Sequence, residues 1–341
     1  MTLDRLVALS LLPSRSYPDL VARLAAGDPV LEELARPRRA DAQAALRSAA
    51  SLGVACVPVT DDAYPERLRA IPDPPPVLWV RGAPLEPAGR AVAVVGSRRA
   101  SPAALDVAFH LAAELARAGV TVISGMARGV DGAAHRGALT AGTTVGVLGC
   151  GVDIAYPRSH ASLAAGIAAQ GTLVSEFVPG TPALAHHFPA RNRIISGLAQ
   201  AVVVVEAAER SGSLITARLA LEQGREVMAV PGNVAGGRNR GAHALIRDGA
   251  ALIESAGDVL RELGWWVPPV TSSGGGDYPE AVRLLALMPL GESFSLDWIA
   301  AETGRGVSEV LSELLELELA GLVVRSEGGG FMRPVGTCYR N

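Results

Sequence analysis

The residues of this chain best suited to chemistry are glycines, hydroxyls and arginines that recur just after short apolar runs. Gly96-Ser97-Arg98-Arg99 follows Ala91–Val95 and precedes Ser101-Pro102, a helix-opening pair. A glycine admits a ligand to the backbone. A helix start offers unpaired N–H groups, and Ser97 and Arg98 add a hydroxyl and a guanidinium fork. The set suits a phosphate or carboxylate, although a tight turn with solvated arginines uses the same residues. Gly125 and Arg128 repeat the theme within Ser124–Asp131, and Arg158 follows Tyr156-Pro157. Phe188 precedes Arg191-Asn192-Arg193, so an aromatic that could stack on a base, or simply fill a core, stands beside Arg191 and Arg193. Ser211, Gly212 and Ser213 lie at another helix start, where hydroxyls hold an anion or cap the helix. Pro231-Gly232 and Gly237-Arg238-Asn239-Arg240-Gly241 close the series.

What is absent narrows the chemistry. The chain has no lysine, so all 31 basic residues are arginine and neither a Walker-type lysine nor a Schiff base is available. G-x-G-x-x-G is missing, and Gly149-Cys150-Gly151 lacks a third glycine, which argues against NAD. No G-x-S-x-G, H-E-x-x-H or paired-carboxylate arrangement occurs. Asp131 and His135, four apart, could share a helix face as a catalytic or metal pair. With no further ligands in view they read instead as a cap and a structural hydrogen bond, and His186-His187 reads as loop. No catalytic residue, metal or cofactor is expected. The three cysteines have no metal spacing and fit a reduced, cytoplasmic setting. There is no signal-peptide pattern and no apolar run near the ~18–20 residues of a membrane helix, so no membrane association is expected. A net charge of −3 excludes a globally basic nucleic-acid binder but not a local arginine-lined site.

The elements that must position these residues are legible as strand–helix alternation. Apolar runs at 91–95, 121–123, 143–148, 172–174, 201–205, 226–230 and 251–253 alternate with helical segments such as 102–118 and 213–223. Val-rich strands separated by helices predict an α/β fold: a Rossmann-like, doubly wound, mainly parallel sheet buried on both faces, with its ligand at the strands' carboxyl ends. Leucines at helical spacing predict short helices over residues 1–50, followed by a strand over 54–59 and a Pro-rich connector over 71–76. Thr271–Gly276 has the composition of a flexible linker. Helices near 280–288, 296–303 and 307–320 and strands near 322–325 and 330–334 predict a winged helix. The expected domains are 1–60 (helical), 61–262 (Rossmann-like), 263–277 (linker) and 278–341 (winged helix).

Taken in order, these residues resemble a known family. Val95-Gly96-Ser97-Arg98, Ser124-Gly125-Met126-Ala127-Arg128-Gly129-Val130-Asp131, Tyr156-Pro157, Ser175-Glu176, Phe188-Pro189-x-Arg191-Asn192-Arg193-Ile194-Ile195, Ser211–Ala217, Ala229-Val230-Pro231-Gly232 and Leu245-Ile246-x-x-Gly249-Ala250 closely resemble the DNA-processing protein A (DprA, or Smf) family over residues 60–258. The resemblance implies a sterile-alpha-motif-like N-terminal domain and a bacterial cytoplasmic protein of natural transformation. It implies binding of incoming single-stranded DNA, loading of the recombinase RecA onto it, and homodimers formed through the Rossmann-like domain. It assigns a phosphate contact to Arg98 and, by position, one to Arg158, and it sets Arg191 and Arg193 by the same pocket. Two departures stand out. The family's glycine-containing turn near the N-terminus is replaced by Leu12-Pro13-Ser14-Arg15-Ser16, and arginine must serve where the family often has lysine.

Residues 89–258 carry 15 Arg against 12 carboxylates, whereas residues 277–341 carry 5 against 10. The basic region is the one that holds the motifs. Glu309, Glu313, Glu316 and Glu318 on the helix near 307–320 are ill suited to a DNA groove. Two other functions compete with single-strand binding. A nucleotide phosphoribohydrolase of the lysine-decarboxylase-like type needs Pro-Gly-Gly-x-Gly-Thr, and the nearest match is Pro231-Gly232-Asn233. A duplex-DNA regulator would act through the winged helix.

Overall fold

The computed structural model describes residues 2–12, 19–85, 89–265, 284–285, 287–289, 292–319, 322–326 and 329–333. The Thr271–Gly276 linker, Pro13–Ser16, Cys338 and most of the 280–288 helix lie outside them. The chain divides into two compact units, Met1–Trp266 and Val267–Asn341.

The first unit is built on nine strands: β1 (Ala55–Pro58), β2 (Val77–Gly82), β3 (Ala91–Val95), β4 (Thr121–Gly125), β5 (Thr144–Val147), β6 (Thr172–Ser175), β7 (Ala201–Val204), β8 (Glu226–Ala229) and β9 (Ala251–Leu252). Their spatial order is β1-β2-β6-β5-β4-β3-β7-β8-β9. The pairs from β6 through β9 are all parallel, while β1 and β2 add an antiparallel hairpin at the β6 edge. The fold is thus α/β with a mainly parallel, doubly wound sheet. β2 had not been expected, because the prolines at 74–76 mask the start of Val77-Leu78-Trp79-Val80. Trp79 is fully buried.

β3 and β7 at the centre of the sheet are apolar at every position because both faces are covered. Val92 and Val94 of β3 face one core with Leu111, Leu115 and Ala134 of helices Pro102–Arg117 and Val130–Leu139. Ala93 and Val95 face the other with Ile194 and Ile195 of helix His187–Leu198 and Ala217 of helix Gly212–Glu222. At ~25 cal/mol per Å² of apolar surface, each buried Val or Ile adds about 1.5–3 kcal/mol, so this central layer is rigid enough to fix the loops at its edge. N-terminal helices, including Leu3–Ser10 and Arg39–Ser51, contribute Leu6, Leu9 and Ala45 to that second core.

β3 leads to β4 on one side, while β7 joins its other side after β6, so the chain reverses its direction across the sheet between β3 and β7. The crevice of such a sheet opens at the strands' carboxyl ends beside this point.

The second unit holds helices Leu296–Thr303 and Val307–Leu319 and a three-stranded antiparallel sheet of Ser293–Phe294, Phe331–Met332 and Val324–Arg325. Ser295 caps the first of these helices through the Trp298 N–H. Val310, Leu314 and Leu317 are buried with Ile299 and Phe331, while Glu309 and Glu316 face solvent.

Candidate nucleic-acid interface

The carboxyl ends of β3, β4, β5 and β7 surround two adjoining chambers. The smaller, about 380 Å³, is lined by Arg98, Arg128, Gly149, Cys150, Tyr156 and Phe188, among others. The larger, about 530 Å³, is lined by Gly96, Ser97, Arg98, Asp131, Arg210 and the Ser211–Ser213 turn. Arg98, Arg99, Ala127, Phe188 and Arg191 border both.

The loop after β3 is held rigidly. The Ser97 N–H donates to the Glu206 carbonyl at 2.7 Å, and the Ser97 carbonyl accepts from the Val130 N–H at 3.2 Å. That second contact needs Gly129, whose φ is +79° and whose Cβ would sit 2.1 Å from the Ser97 oxygen. The Ser97 hydroxyl accepts the Arg99 N–H at 3.1 Å, which leaves its own proton for a ligand. The exposed Arg98 is therefore displayed on a fixed base, its guanidinium carbon 5.6 Å from the centre of the Phe188 ring. Phe188 in turn lies 5.3 Å, centre to centre, from the half-exposed Tyr156. Arg98 and Phe188 form the partition between the chambers, with Tyr156 on the side of the smaller one.

Beneath them lies Arg191, only 3% exposed. One of its terminal nitrogens donates to the Val147 carbonyl, and its buried Nε has no partner among the described residues. Burial brings its pKa down to about 10, with Asp131 opposing. Asp131 is itself buried and accepts the Ala127 N–H at 3.2 Å. Burial pushes its carboxyl up to about 6 against the pull of Arg191. Gly125 makes room for both groups: a Cβ there would fall 2.4 Å from an Arg191 nitrogen and 2.6 Å from an Asp131 oxygen.

The expected residues are not all gathered here. Gly96, Ser97, Arg98, Arg128, Phe188, Arg191, Ser211, Gly212 and Ser213 line the chambers, and Gly125 packs against Arg191. Arg158 opens a short 3-10 turn after the cis Tyr156–Pro157 bond; it is exposed and borders neither chamber. Arg193 points elsewhere. Two residues along a helix rotate a side chain by about 200°. Arg193 accordingly grips both oxygens of the buried Glu176 at 2.8 and 2.9 Å and pairs with Asp73 at 3.3 Å. Arg99 and Tyr156, members of the motifs that carry Arg98 and Arg158, also border the crevice, as does Arg210. Their signal was position just beyond a strand end, the same one that marked Arg98.

His135 is a strut between strands. Its ring nitrogens meet the Thr144 hydroxyl at 2.7 Å and the Gly125 carbonyl at 2.9 Å, and burial lowers its pKa to about 4. His187 stacks on Phe177 at 3.9 Å and contacts the Gly149 carbonyl at 3.1 Å. Among the described residues no cluster of three metal-ligating side chains occurs, and no helix is long and apolar enough to cross a membrane. Cys56 and Cys150 are free thiols, their pKa values raised by burial to about 12 and 11.

The sheet and the crevice at its switch point define a Rossmann-like α/β protein, here followed by a winged helix. The family model described as DNA recombination-mediator protein A matches residues 55–264, and the DprA winged helix domain matches 271–329. Protein Smf of Escherichia coli is 43% identical over 294 residues, covering 83% of this chain and 78% of the relative. DNA processing protein DprA of Bacillus subtilis is 44% identical over 213 residues, covering 62% and 72%. The solved DNA processing protein A of Streptococcus pneumoniae superposes with a TM-score of 0.68 at 34% identity, covering 77% of this chain and 98% of its own. That of Helicobacter pylori, whose structure concerns its single-stranded DNA binding mode, gives 0.56 at 28% identity, covering 62% and 95%. This chain belongs to the DprA/Smf family of DNA-processing proteins.

Proposed function

We propose that this chain binds single-stranded DNA without sequence preference through residues 61–262, and that it loads a RecA-type recombinase onto the bound strand. The observation that carries the reading is the partition of Arg98 over Phe188 between two arginine- and serine-lined chambers. Phosphate oxygens meet the guanidinium groups and hydroxyls, and an unpaired base stacks on Phe188 or Tyr156. Stacking and backbone contact both ignore base identity, and a duplex keeps its bases inside. Family membership supports the recombinase step, a homodimer formed through the Rossmann-like domain, and a role in natural transformation. The groups in the crevice bind and orient; we assign none of them a bond-breaking role. The test is binding of the intact protein to matched single and double strands over a salt series. Single strands are expected to bind more tightly, with a log–log salt slope of roughly −0.7 per phosphate contacted. Equal affinity for both forms overturns the proposal.

A pH dependence follows from Asp131. Above its pKa of about 6 the carboxylate is charged and opposes a phosphate beside Arg191; below it the opposition disappears. Affinity is therefore expected to rise as pH falls from neutrality through 6. His160, whose pKa is lowered by burial, would act in the same sense on protonation. Asp131→Asn should flatten the profile near pH 6 and bind more tightly at neutral pH. A variant whose pH profile matches that of the parent protein rules out this role.

A further inference from the structure

We propose that the single strand runs across the whole carboxyl edge from β5 to β8, with Arg210 and Arg238 as phosphate contacts in its outer half. The proposal rests on the single-strand reading above and extends it to a footprint. In space the strands lie in the order β5-β4-β3-β7-β8. The loops that follow them carry, in that same order, exposed Arg158, Arg128, Arg98 with Arg99, Arg210 and Arg238. Along the chain this order is scrambled. The row exists only because β7 and β8 are laid beside β3 rather than beside β6.

The row is continuous beyond the two chambers. Arg210 lines the larger chamber next to Ser211. Arg238 lines a neighbouring cavity of about 350 Å³ and donates from Nη1 to the Arg99 carbonyl at 2.9 Å, which ties the loop after β8 to the loop after β3. Among the described residues none of these arginines is in an ion pair, whereas Arg193, Arg218 and Arg261 elsewhere in the unit are matched to Glu176, Glu222 and Asp258. Apart from the buried Asp131 beside Arg191, the nearby carboxylates are engaged. Glu206 is buried and accepts the Ser101 N–H at 3.2 Å. The exposed Glu209 lies 3.8 Å from Arg240, so its charge is offset. Asp153 accepts the Gly180 N–H at 2.9 Å. A row of unpaired cations of this kind suits a flexible polyanion better than a compact ligand.

Four inter-strand gaps span about 19 Å at the usual spacing. That length matches on the order of five or six phosphates at a stacked rise of ~3.4 Å, and fewer in a stretched strand.

The test uses the intact protein and fluorescence anisotropy of labelled oligothymidylates, from a dinucleotide upward, over a salt series. Wild-type affinity is expected to climb with length to about six nucleotides. The Arg210→Ala/Arg238→Ala protein should match it on the shortest oligomers, stop gaining sooner, and show a salt slope shallower by about 1.4 on the long ones. Arg117→Ala removes an exposed charge at the far end of helix Pro102–Arg117 and should change neither quantity. The proposal is overturned by an unchanged length profile in the double variant, by equal loss on short and long oligomers, or by an equal effect of Arg117→Ala. Absence of any single-strand binding by the wild-type protein would instead overturn the underlying reading, and the footprint with it.

Discussion

Arg98→Ala is expected to weaken single-strand binding by about 1.5–3 kcal/mol, the scale of a hydrogen bond to a charged group. That corresponds to roughly ten- to 150-fold in the dissociation constant. The side chain is exposed and its contact with Phe188 is peripheral to both cores, so folding should be untouched. Arg98→Lys keeps the charge but loses the fork, and should fall between the two. Titration of a labelled oligonucleotide, with a thermal melt to check folding, decides the matter. A folded alanine variant of unchanged affinity would show that the crevice is not where the strand binds.

Arg193→Ala should do the reverse. Its guanidinium grips the Glu176 carboxylate, which is 4% exposed, and reaches Asp73 as well. Removing one partner strands a charge in the interior, a change that typically costs about 3–5 kcal/mol. A urea midpoint well below the wild type is expected, with affinity per folded molecule preserved. Replacing both members, Arg193→Met with Glu176→Leu, should recover much of the stability, since an apolar pair needs no solvation. An unchanged midpoint in the single variant, or a selective loss of DNA affinity at full stability, would return Arg193 to the binding surface.

These two arginines show what the sequence could and could not reveal. Both follow a parallel strand in the chain, and each has a polar residue before it, Ser97 or Asn192. In the sequence Arg193 stands two residues from Arg191. The rotation of helix His187–Leu198 about its axis separates them, and that rotation is set by Ile194 and Ile195 seeking the core. The parallel strands were legible because burial of the central ones on both faces leaves short runs dominated by Val, Ala and Ile. β2 was not, since three prolines precede it and one of its partners, β6, lies far away in sequence, pairing Trp79 with Ser175. The glycines were readable as places of close approach. The atoms they admit, an Arg191 nitrogen at Gly125 and the Ser97 carbonyl at Gly129, come from segments that only the fold brings near. The acidic helix Val307–Leu319 was legible from the alternation of its leucines and glutamates.

The place of β3 in the sheet bears on how the chain is made. β3 pairs on one side with β4, which follows almost at once, and on the other with β7, where Val92 meets Ala201. During synthesis at ~5–20 residues per second, the second edge of this apolar strand waits on the order of 5–20 seconds for its partner to leave the ribosome. A Val-rich strand with one open edge is a template for a strand from any neighbouring nascent chain. Fragments that end before β7 should therefore be prone to aggregate. Efficient production of the protein depends on the interval between two strands that the folded sheet places side by side.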